Sequence, residues 1–538
     1  NGDKIITQYD MYTVGEDGVG LLKMDFLGLR NLTIIEEALN FIKVNKGKTI
    51  DLSNLPLDDK KTYDLLSQAE TTGIFQLESA GMRRYIKDLR PTSIFDLMAM
   101  VALYRPGPMA NIPEFIARKR NASLIKLPDP RLKDALTQSY GMLVYQDDVL
   151  LTTIAIAGYT WLDADKFRKA MGKKIPAEMK KQKEQFIKGS VANGLSEKKA
   201  EQIFNLIAPF AGYGFNKAHA ACYATIAYRT GYLKANYSVE FMTALLTAES
   251  RGASGPIKNE KIAQAVAECK RLNIEVLPPN INKSGSDFTI ENKEKIRFGL
   301  SAIKNVGEAA IGSILEHKSK GDFKSFEDFC ERVDLSAINK KTIESLIKAG
   351  AMDIFGNRAH LLSTYPDIVD GINKKKKQTS QGQESLFGDD VSDNGKISRP
   401  AIDDFTSHEK LAFEKEFLGF YLTSHPQMQN LMAIKSIVSH DLDLLEEERE
   451  GQVVKIGGII ETARKIFTKK TGAEMAFITI GDEKGIVVEC IVFPKIYEQY
   501  KYLIMKDSLI ILEGKVDTKN DRPIIIAEKI STLQVSPS

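Results

Sequence analysis

The carboxylate best placed for phosphoryl chemistry is Asp25. Apolar and polar residues alternate over 21–26, which predicts a strand with Lys23 and Asp25 on its open face. Such a pair could hold a phosphate and a metal ion side by side. Two-metal phosphoryl transfer needs several carboxylates to hold cations about 3.5–4 Å apart, and no Asp-x-Asp strand lies nearby. An exposed strand Asp without a metal is the competing interpretation.

A basic helix is the second candidate for phosphate chemistry. Between Asp163 and Lys183, helical spacing places Lys166, Lys169 and Lys173 on one face. That face suits a triphosphate or a nucleic-acid backbone, since both carry dense negative charge. A solvated helix surface explains the same charges, and both interpretations stay open.

A glycine-rich turn over 212–220 leads into an aromatic helix. Its backbone N–H groups and Lys217 could approach a phosphate, and His219 could donate to an oxyanion or a base. A His at the start of a helix is also often a cap or a packed core residue.

Two glycine-interrupted segments, 303–311 and 343–351, resemble helix-hairpin-helix elements. In such elements a Gly allows backbone amides to approach a DNA phosphate without reading the base sequence. The segments predict DNA contacts at Lys304, Gly307, Lys348 and Gly350.

An apolar pair interrupts the polar segment 371–400, which its composition predicts to be a linker. Leu386 and Phe387 follow Gln383, and such a peptide could fill a pocket on another protein. A chance apolar pair is the alternative.

The elements that must position these residues change character along the chain. Residues 57–250 are predicted to be mainly helical, whereas five strands with period-two alternation follow position 451, with a helix between the third and fourth. That order predicts an OB barrel, with a strand groove for single-stranded nucleic acid. OB barrels also bind sugars and proteins. The candidate groove contacts are Phe467, Lys469, Lys470 and Phe477.

Composition describes an ordinary globular protein. The chain has 538 residues, 43% apolar and 27% charged, enough for about three to five folding units. No apolar run reaches the length of a membrane span. The formal charge of +3 does not by itself indicate a nucleic-acid partner. Four widely separated cysteines argue for reduced thiols rather than a zinc site, and no secretory signal follows Asn1. We expect a cytoplasmic protein and a sequence that is a piece of a longer one.

Several motifs together resemble bacterial DNA polymerase III alpha subunits, the family C replicases. They occur in the family's order along nearly the whole chain: Lys23-Met-Asp-Phe-Leu-Gly-Leu29, Thr72-Gly-Ile-Phe-Gln-Leu-Glu-Ser-Ala-Gly-Met82, Tyr104-Arg-Pro-Gly-Pro108, Arg168-Lys-Ala-Met-Gly-Lys-Lys174, Phe215-Asn-Lys-Ala-His219 and Glu416-Phe-Leu-Gly-Phe-Tyr-Leu422.

The resemblance implies a multidomain α+β fold in four parts. These are the end of a polymerase palm (1–45), a large, mainly α-helical fingers domain (46–282), a helical clamp-binding domain with tandem helix-hairpin-helix motifs (283–450) and a C-terminal five-stranded OB barrel (451–538).

The resemblance also implies template-directed DNA synthesis with two Mg²⁺ ions. Asp25 would be a metal-binding catalytic carboxylate beside Lys23. The nucleotide would contact Arg168, Lys169, Asn216, Lys217 and His219, and Gln383, Leu386 and Phe387 would dock in a sliding clamp. The other implied partners are primer–template DNA, deoxynucleoside triphosphates, a clamp loader and a proofreading exonuclease.

The sequence also departs from the family pattern. The PHP domain, the thumb and the palm strand with two further Asp residues have no counterpart here, so we expect this piece alone to be inactive. Ala218 stands where the family commonly has Ser. The alternative hypothesis is a non-catalytic module that binds nucleic acid and protein through its hairpin and OB elements.

Overall fold

The computed structural model describes residues 5–15, 18–22, 24, 28–173, 176–252, 255–380, 402–423, 428–468, 472–482, 486–519 and 522–532. Its first part is helical, as the periodicity predicts. The helices are α1 (Met11–Val14), α2 (Arg30–Lys46), α3 (Lys60–Ser67), α4 (Ala80–Leu89), α5 (Ile94–Leu103), α6 (Ile112–Arg120), α7 (Lys133–Leu136), α8 (Gln146–Ala157), α9 (Trp161–Lys173), α10 (Pro176–Ala192), α11 (Glu197–Tyr213), α12 (Lys217–Asn236), α13 (Ser238–Gly252) and α14 (Pro256–Arg271).

The first apolar core lies among α3, α4, α5, α6 and α12. Helix α5 is central to it, with eight of its ten residues buried. Its one buried charge, Asp96, is fully satisfied. The carboxylate accepts from the backbone N–H of Thr92 at 2.8 Å, from Lys119 Nζ at 2.8 Å and from Tyr140 Oη at 2.9 Å. A buried charge with this many partners is compatible with a stable core.

A second core lies among α8, α9, α10 and α11. Phe167 and Phe186 have ring centroids 6.0 Å apart, and Phe186 and Phe204 lie 5.9 Å apart. All three rings are buried. The burial of Phe167 leaves Lys166 and Lys169 of α9 exposed to solvent.

The third core extends from α2 and α13 into the segment after position 274. Its elements include a small sheet in the order β1-β3-β2. They are β1 (Val276–Leu277), β2 (Thr289–Glu291), β3 (Lys295–Arg297), α15 (Glu308–Lys318), α16 (Phe326–Arg332), α17 (Lys340–Lys348), α18 (Arg358–Ser380) and α19 (Ser407–Phe417). Helix α20 (Met428–Lys435) instead packs against the C-terminal strands.

A buried ion pair links the first and third cores. Lys234 of α12 contacts Glu268 of α14 at 2.6 Å. The same ammonium donates to the carbonyl oxygens of Glu70 at 2.7 Å and Thr72 at 2.9 Å. This network fixes the segment before α4 against both helices.

The predicted OB barrel is confirmed. Five strands form a closed barrel in the order β4-β5-β6-β8-β7, and helix α21 (Pro494–Tyr500) lies between the third and fourth strands. The buried alternate residues of each strand, such as Ile456, Ile478 and Ile525, fill its interior. The strands are β4 (Val453–Phe467), β5 (Glu474–Gly481), β6 (Val487–Val492), β7 (Leu509–Lys519) and β8 (Arg522–Ser531).

Two predicted segments lie at gaps in the described ranges. The strand over 21–26 falls largely outside the described residues. Helix α18 continues through Ser380, ten residues into the segment predicted as a linker. Its run of lysines has good intrinsic helix propensity, which the low apolar content of the segment concealed. In the described ranges, no helix is both long and apolar enough to cross a bilayer.

Candidate nucleotide and nucleic-acid sites

The turn between α11 and α12 is held in place by a segment 70 residues earlier in the chain. Phe215 forms an isolated parallel bridge with Tyr145, and its carbonyl oxygen accepts from the N–H of Gln146 at 2.9 Å. The N–H of Lys217 donates to Asp147 Oδ2 at 3.1 Å. Asn216 caps α12, because its side-chain oxygen accepts from the N–H of His219 at 2.8 Å.

Cations and aromatic rings alternate around this turn. The Arg105 guanidinium lies 4.6 Å from the centroid of the Phe215 ring, and Lys217 Nζ lies 5.5 Å from that of Tyr145. The exposed His219 ring packs between Phe215 at 5.3 Å and Tyr223 at 4.2 Å. Cations over aromatic faces are attracted to the rings and positioned by them. The arrangement suits an anionic, planar ligand such as a nucleotide. We name it the turn cluster: Arg105, Tyr145, Phe215, Lys217, His219 and Tyr223.

Asp148 stabilises the backbone that carries Tyr145 of the turn cluster. Its Oδ2 accepts from the N–H groups of Val144 and Tyr145, each at 2.8 Å. Oδ1 is buried and has no hydrogen-bond partner among the residues that the structure describes. Burial raises the pKa of this carboxyl to about 6, although the two backbone hydrogen bonds act in the opposite direction.

In the basic helix, α9, two of the predicted nucleotide-binding residues contact the same carboxylate. Arg168 reaches Asp165 at 2.8 Å and Lys169 reaches it at 3.4 Å. These contacts orient both cations along α9. The side chain of Lys173 lies outside the described residues.

The first predicted hairpin borders a cavity of about 360 Å³. Gly307, at the start of α15, and Asn339, the cap of α17, line this cavity from two sides. Thr342 Oγ1 donates to the Asn305 carbonyl at 3.0 Å, which joins the two hairpins. Lys304, Lys340 and Lys341 are exposed beside them.

The second predicted hairpin glycine has a different setting. Gly350 is buried at the end of α17 with φ 85°, and an added Cβ would meet the Arg358 guanidinium. Lys348 Nζ lies 5.8 Å from the ring of Phe413 and 5.7 Å from that of Phe417. The two segments therefore differ locally, since one Gly precedes a helix and the other follows one.

The predicted OB contacts lie on adjoining strands. Phe467 ends β4 with 67% of its surface exposed, and Phe477 of β5 lies 5.5 Å beneath the Arg464 guanidinium. Lys469 and Lys470 lie outside the described residues.

Five further predicted site residues also fall outside the described ranges. They are Lys23, Asp25, Gln383, Leu386 and Phe387. Among the residues that are described, no group of three His, Cys, Asp or Glu side chains could hold a metal ion.

The sequence reasoning assigned no role to Arg105, Tyr145 or Asp147. Arg105 lies in the motif Tyr104-Arg-Pro-Gly-Pro108, which offered a signal. Tyr145 and Asp147 gave none, because only the tertiary fold brings them to Phe215.

Comparison with known proteins decides the family. Residues 31–194 match the model of the bacterial DNA polymerase III alpha subunit finger domain, 273–361 match a helix-hairpin-helix motif, and 454–533 match an OB-fold nucleic acid binding domain. The chain is 39% identical to the DNA polymerase III subunit alpha of Thermus aquaticus over 98% of its own length, and 39% identical to that of Borreliella burgdorferi over 98%. The chain belongs to the DNA polymerase III alpha subunit family.

The resemblance inferred from the motifs is thereby confirmed, as are the helical fingers, the helix-hairpin-helix region and the OB barrel. The chain covers 43% of the Thermus aquaticus alpha subunit and 46% of the Borreliella burgdorferi one. It therefore spans a little under half the length of these alpha subunits.

Proposed function

We propose that this chain is part of a DNA-directed DNA polymerase, in which it binds the incoming deoxynucleoside triphosphate and the primer–template DNA. The reaction would be attack of the primer 3′-hydroxyl on the α-phosphate of the nucleotide, which forms a P–O bond and releases pyrophosphate. Membership of the alpha subunit family supports this activity, and a replication role would place it in the cytoplasm. The observation that carries the nucleotide assignment is the turn cluster.

Lys217 is the central residue of the proposed nucleotide site. Its ammonium lies over the Tyr145 ring, and its backbone N–H is held by Asp147. The side chain is thus presented from a fixed backbone, and the Arg105 guanidinium lies over the ring of Phe215 in the same turn. Two cations at one turn would offset the charge of a triphosphate, and fixed charges of this kind dominate catalysis of phosphoryl transfer.

Arg168, Lys169 and Lys173 would extend the same electrostatic role along α9. Asp165 would hold Arg168 and Lys169 in set orientations, because its carboxylate contacts both side chains. His219 and Asn216 would complete the nucleotide contacts at the start of α12.

A divalent metal, proposed as Mg²⁺, would be held in part by Asp25, with Lys23 beside it. No Asp-x-Asp strand lies near Asp25 in the sequence, so further carboxylates would come from other parts of the longer protein. When bound, the ions would stabilise negative charge at the reacting phosphate. We therefore expect the 538-residue chain alone to bind DNA and incorporate no nucleotide.

Two sets of macromolecular contacts belong to the same proposal. The hairpins with Lys304 and Gly307, and the OB strands with Phe467 and Phe477, would contact DNA. Gln383, Leu386 and Phe387 would bind a sliding clamp, and a clamp loader and a proofreading exonuclease would be further partners of the complete polymerase.

The test is Lys217→Ala in the complete polypeptide that contains this chain. We expect the KM for deoxynucleotide to rise by about tenfold or more, since a charge-assisted contact is worth about 1.5–3 kcal/mol. The Kd for primer–template DNA should change less than twofold. Lys188→Ala removes an exposed lysine of α10 and is the matched control. An unchanged KM for the Lys217 variant would exclude the turn cluster as the nucleotide site.

A further inference from the structure

We propose that the open edge of strand β4 in the OB barrel binds an extended acidic peptide by β-strand addition. This would be a protein-binding site distinct from the nucleotide site proposed above, and its strand edge ends at Phe467, one of the proposed DNA contacts. It depends on the strand pairing of the barrel, on one cleft and on the charges around that cleft.

Strand β4 changes partners halfway along its length. Its first half, Val453 to Ile459, pairs with β7, and its second half, Ile459 to Phe467, pairs with β5. These partners lie on opposite sides of β4, since β4 lies between them in the closed barrel. In the described part of the chain, residues 462–467 therefore have a strand on one side and none on the other.

The other open edge of β4, along its first half, is covered by the chain itself. The N–H groups of Ser439 and His440 donate to the Lys455 carbonyl at 2.9 Å and 3.2 Å. Ser439 Oγ in turn accepts from the N–H of Lys455 at 2.9 Å. The described residues provide no equivalent cover for residues 462–467, which still present the N–H and C=O groups of alternate residues.

A cleft of about 550 Å³ lies along this uncovered edge. Ala463 and Lys465 form the wall on β4, and Tyr497, Met505 and Lys506 form the facing wall. Met505 is 61% exposed. The cleft thus offers apolar contact beside a strand edge, the combination used in peptide recognition by strand addition.

The charge of the cleft selects an acidic partner. Lys465 and Lys506 are both exposed. The one acid in the lining, Glu461, is neutralised by Lys415 at 3.3 Å. A second copy of this chain is a poor occupant, because its own edge would bring Arg464 and Lys465 against the same charges.

Single-stranded nucleic acid is acidic too, but it fits the edge less well. Phosphate oxygens only accept hydrogen bonds, whereas a strand edge offers donors and acceptors in alternation. An extended peptide satisfies both. The peptide is therefore the occupant that we propose, and nucleic acid is the alternative to be tested.

The probe is a fluorescein-labelled peptide of ten residues that alternates Val with Glu, titrated with the complete 538-residue chain and followed by fluorescence anisotropy. We expect saturable binding. In an added strand, the N–H groups of alternate residues face the same edge. Two further peptides carry N-methyl groups on all Val or on all Glu residues. We expect one of these two peptides to bind about tenfold more weakly and the other to bind as the unmodified peptide does.

Charge reversal provides the protein side of the test. Lys465→Glu with Lys506→Glu should weaken peptide binding by about tenfold or more. Lys506→Glu alone, which leaves the barrel wall intact, should weaken it in the same direction. Lys495→Glu changes an exposed lysine of α21 outside the cleft and should have no effect.

Three results would overturn the proposal. The first is no saturable binding up to about 1 mM peptide. The second is equal binding of both N-methylated peptides and the unmodified one. The third is displacement of the peptide by a ten-nucleotide thymidine strand, together with loss of binding of that strand in the lysine variants. That result would make the cleft a nucleic-acid groove.

Discussion

Asp148 shows how one buried residue supports the turn cluster. Its carboxylate fixes the backbone N–H groups of Val144 and Tyr145, and Tyr145 carries both the bridge to Phe215 and the ring beneath Lys217. In the described part of the chain, its other carboxylate oxygen is buried and finds no hydrogen-bond partner. The charged form is therefore disfavoured in the folded protein, which makes the stability of the fingers pH-dependent.

Ionisation of the Asp148 carboxyl is predicted to destabilise the folded protein. Its folded-state pKa, about 6, lies above the usual value. The contribution of this group to stability is thus fully present below about pH 4 and is lost as the pH rises through about 6. Between those limits we expect the free energy of unfolding of the wild type to fall by up to about 3 kcal/mol relative to Asp148→Asn.

Urea denaturation at pH 4.5 and pH 7 measures this difference, with fluorescence of Trp161, the single Trp of the chain, as the probe. The amide oxygen of the Asn can still accept from both backbone N–H groups. Glu184→Gln, at an exposed position of α10, is the control. Identical pH dependence in the wild type and Asp148→Asn would show that the carboxyl titrates normally.

Among the elements, the two glycine-interrupted segments have different surroundings. The loop with Gly307 is exposed at the start of α15 and borders a cavity shared with the start of α17. Gly350 and Lys348 instead make contacts within the third core. We therefore expect DNA to contact the first segment and the neighbouring start of α17.

A pair of variants of the 538-residue chain tests this division. Lys304→Ala with Lys341→Ala should lower affinity for duplex DNA and reduce the slope of log K against log salt by about 2, because each phosphate contact contributes about 0.9. Lys348→Ala should leave the slope unchanged and lower thermal stability. Equal slopes of log K against log salt for the wild type, the double variant and Lys348→Ala would place the DNA contacts elsewhere.

Helices and strands were predictable from the sequence where they depend on local patterns. The OB barrel followed from five alternating segments and a helix at the right position, since strand alternation is a local pattern. The extension of α18 to Ser380 was missed, because a lysine-rich segment was interpreted by its lack of apolar residues. The helix start at Asn216 was predictable, whereas its attachment to Tyr145 and Asp147 depends on contacts between residues far apart in sequence.

In the described residues of the whole molecule, three mainly helical cores and one barrel are joined by specific contacts. Lys234 and Glu268 link the first and third cores, and Lys415 of α19 contacts Glu461 of the barrel. Family membership was predictable because the motifs are spread along the whole chain. The candidate site was only partly predictable, because Arg105, Tyr145 and Asp147 reach the turn cluster only through the tertiary fold.

The most direct test of the polymerase proposal is single-nucleotide incorporation on a primed template by the complete polypeptide, compared with its Asp25→Asn variant. We expect the wild type to extend the primer and Asp25→Asn to lose at least about a hundredfold in rate, since even residues beyond the metal ligands can cost that much. DNA affinity should be unchanged, and Glu36→Gln on the exposed side of α2 should behave as the wild type. Full incorporation by Asp25→Asn, or none by the wild type, would contradict the proposal.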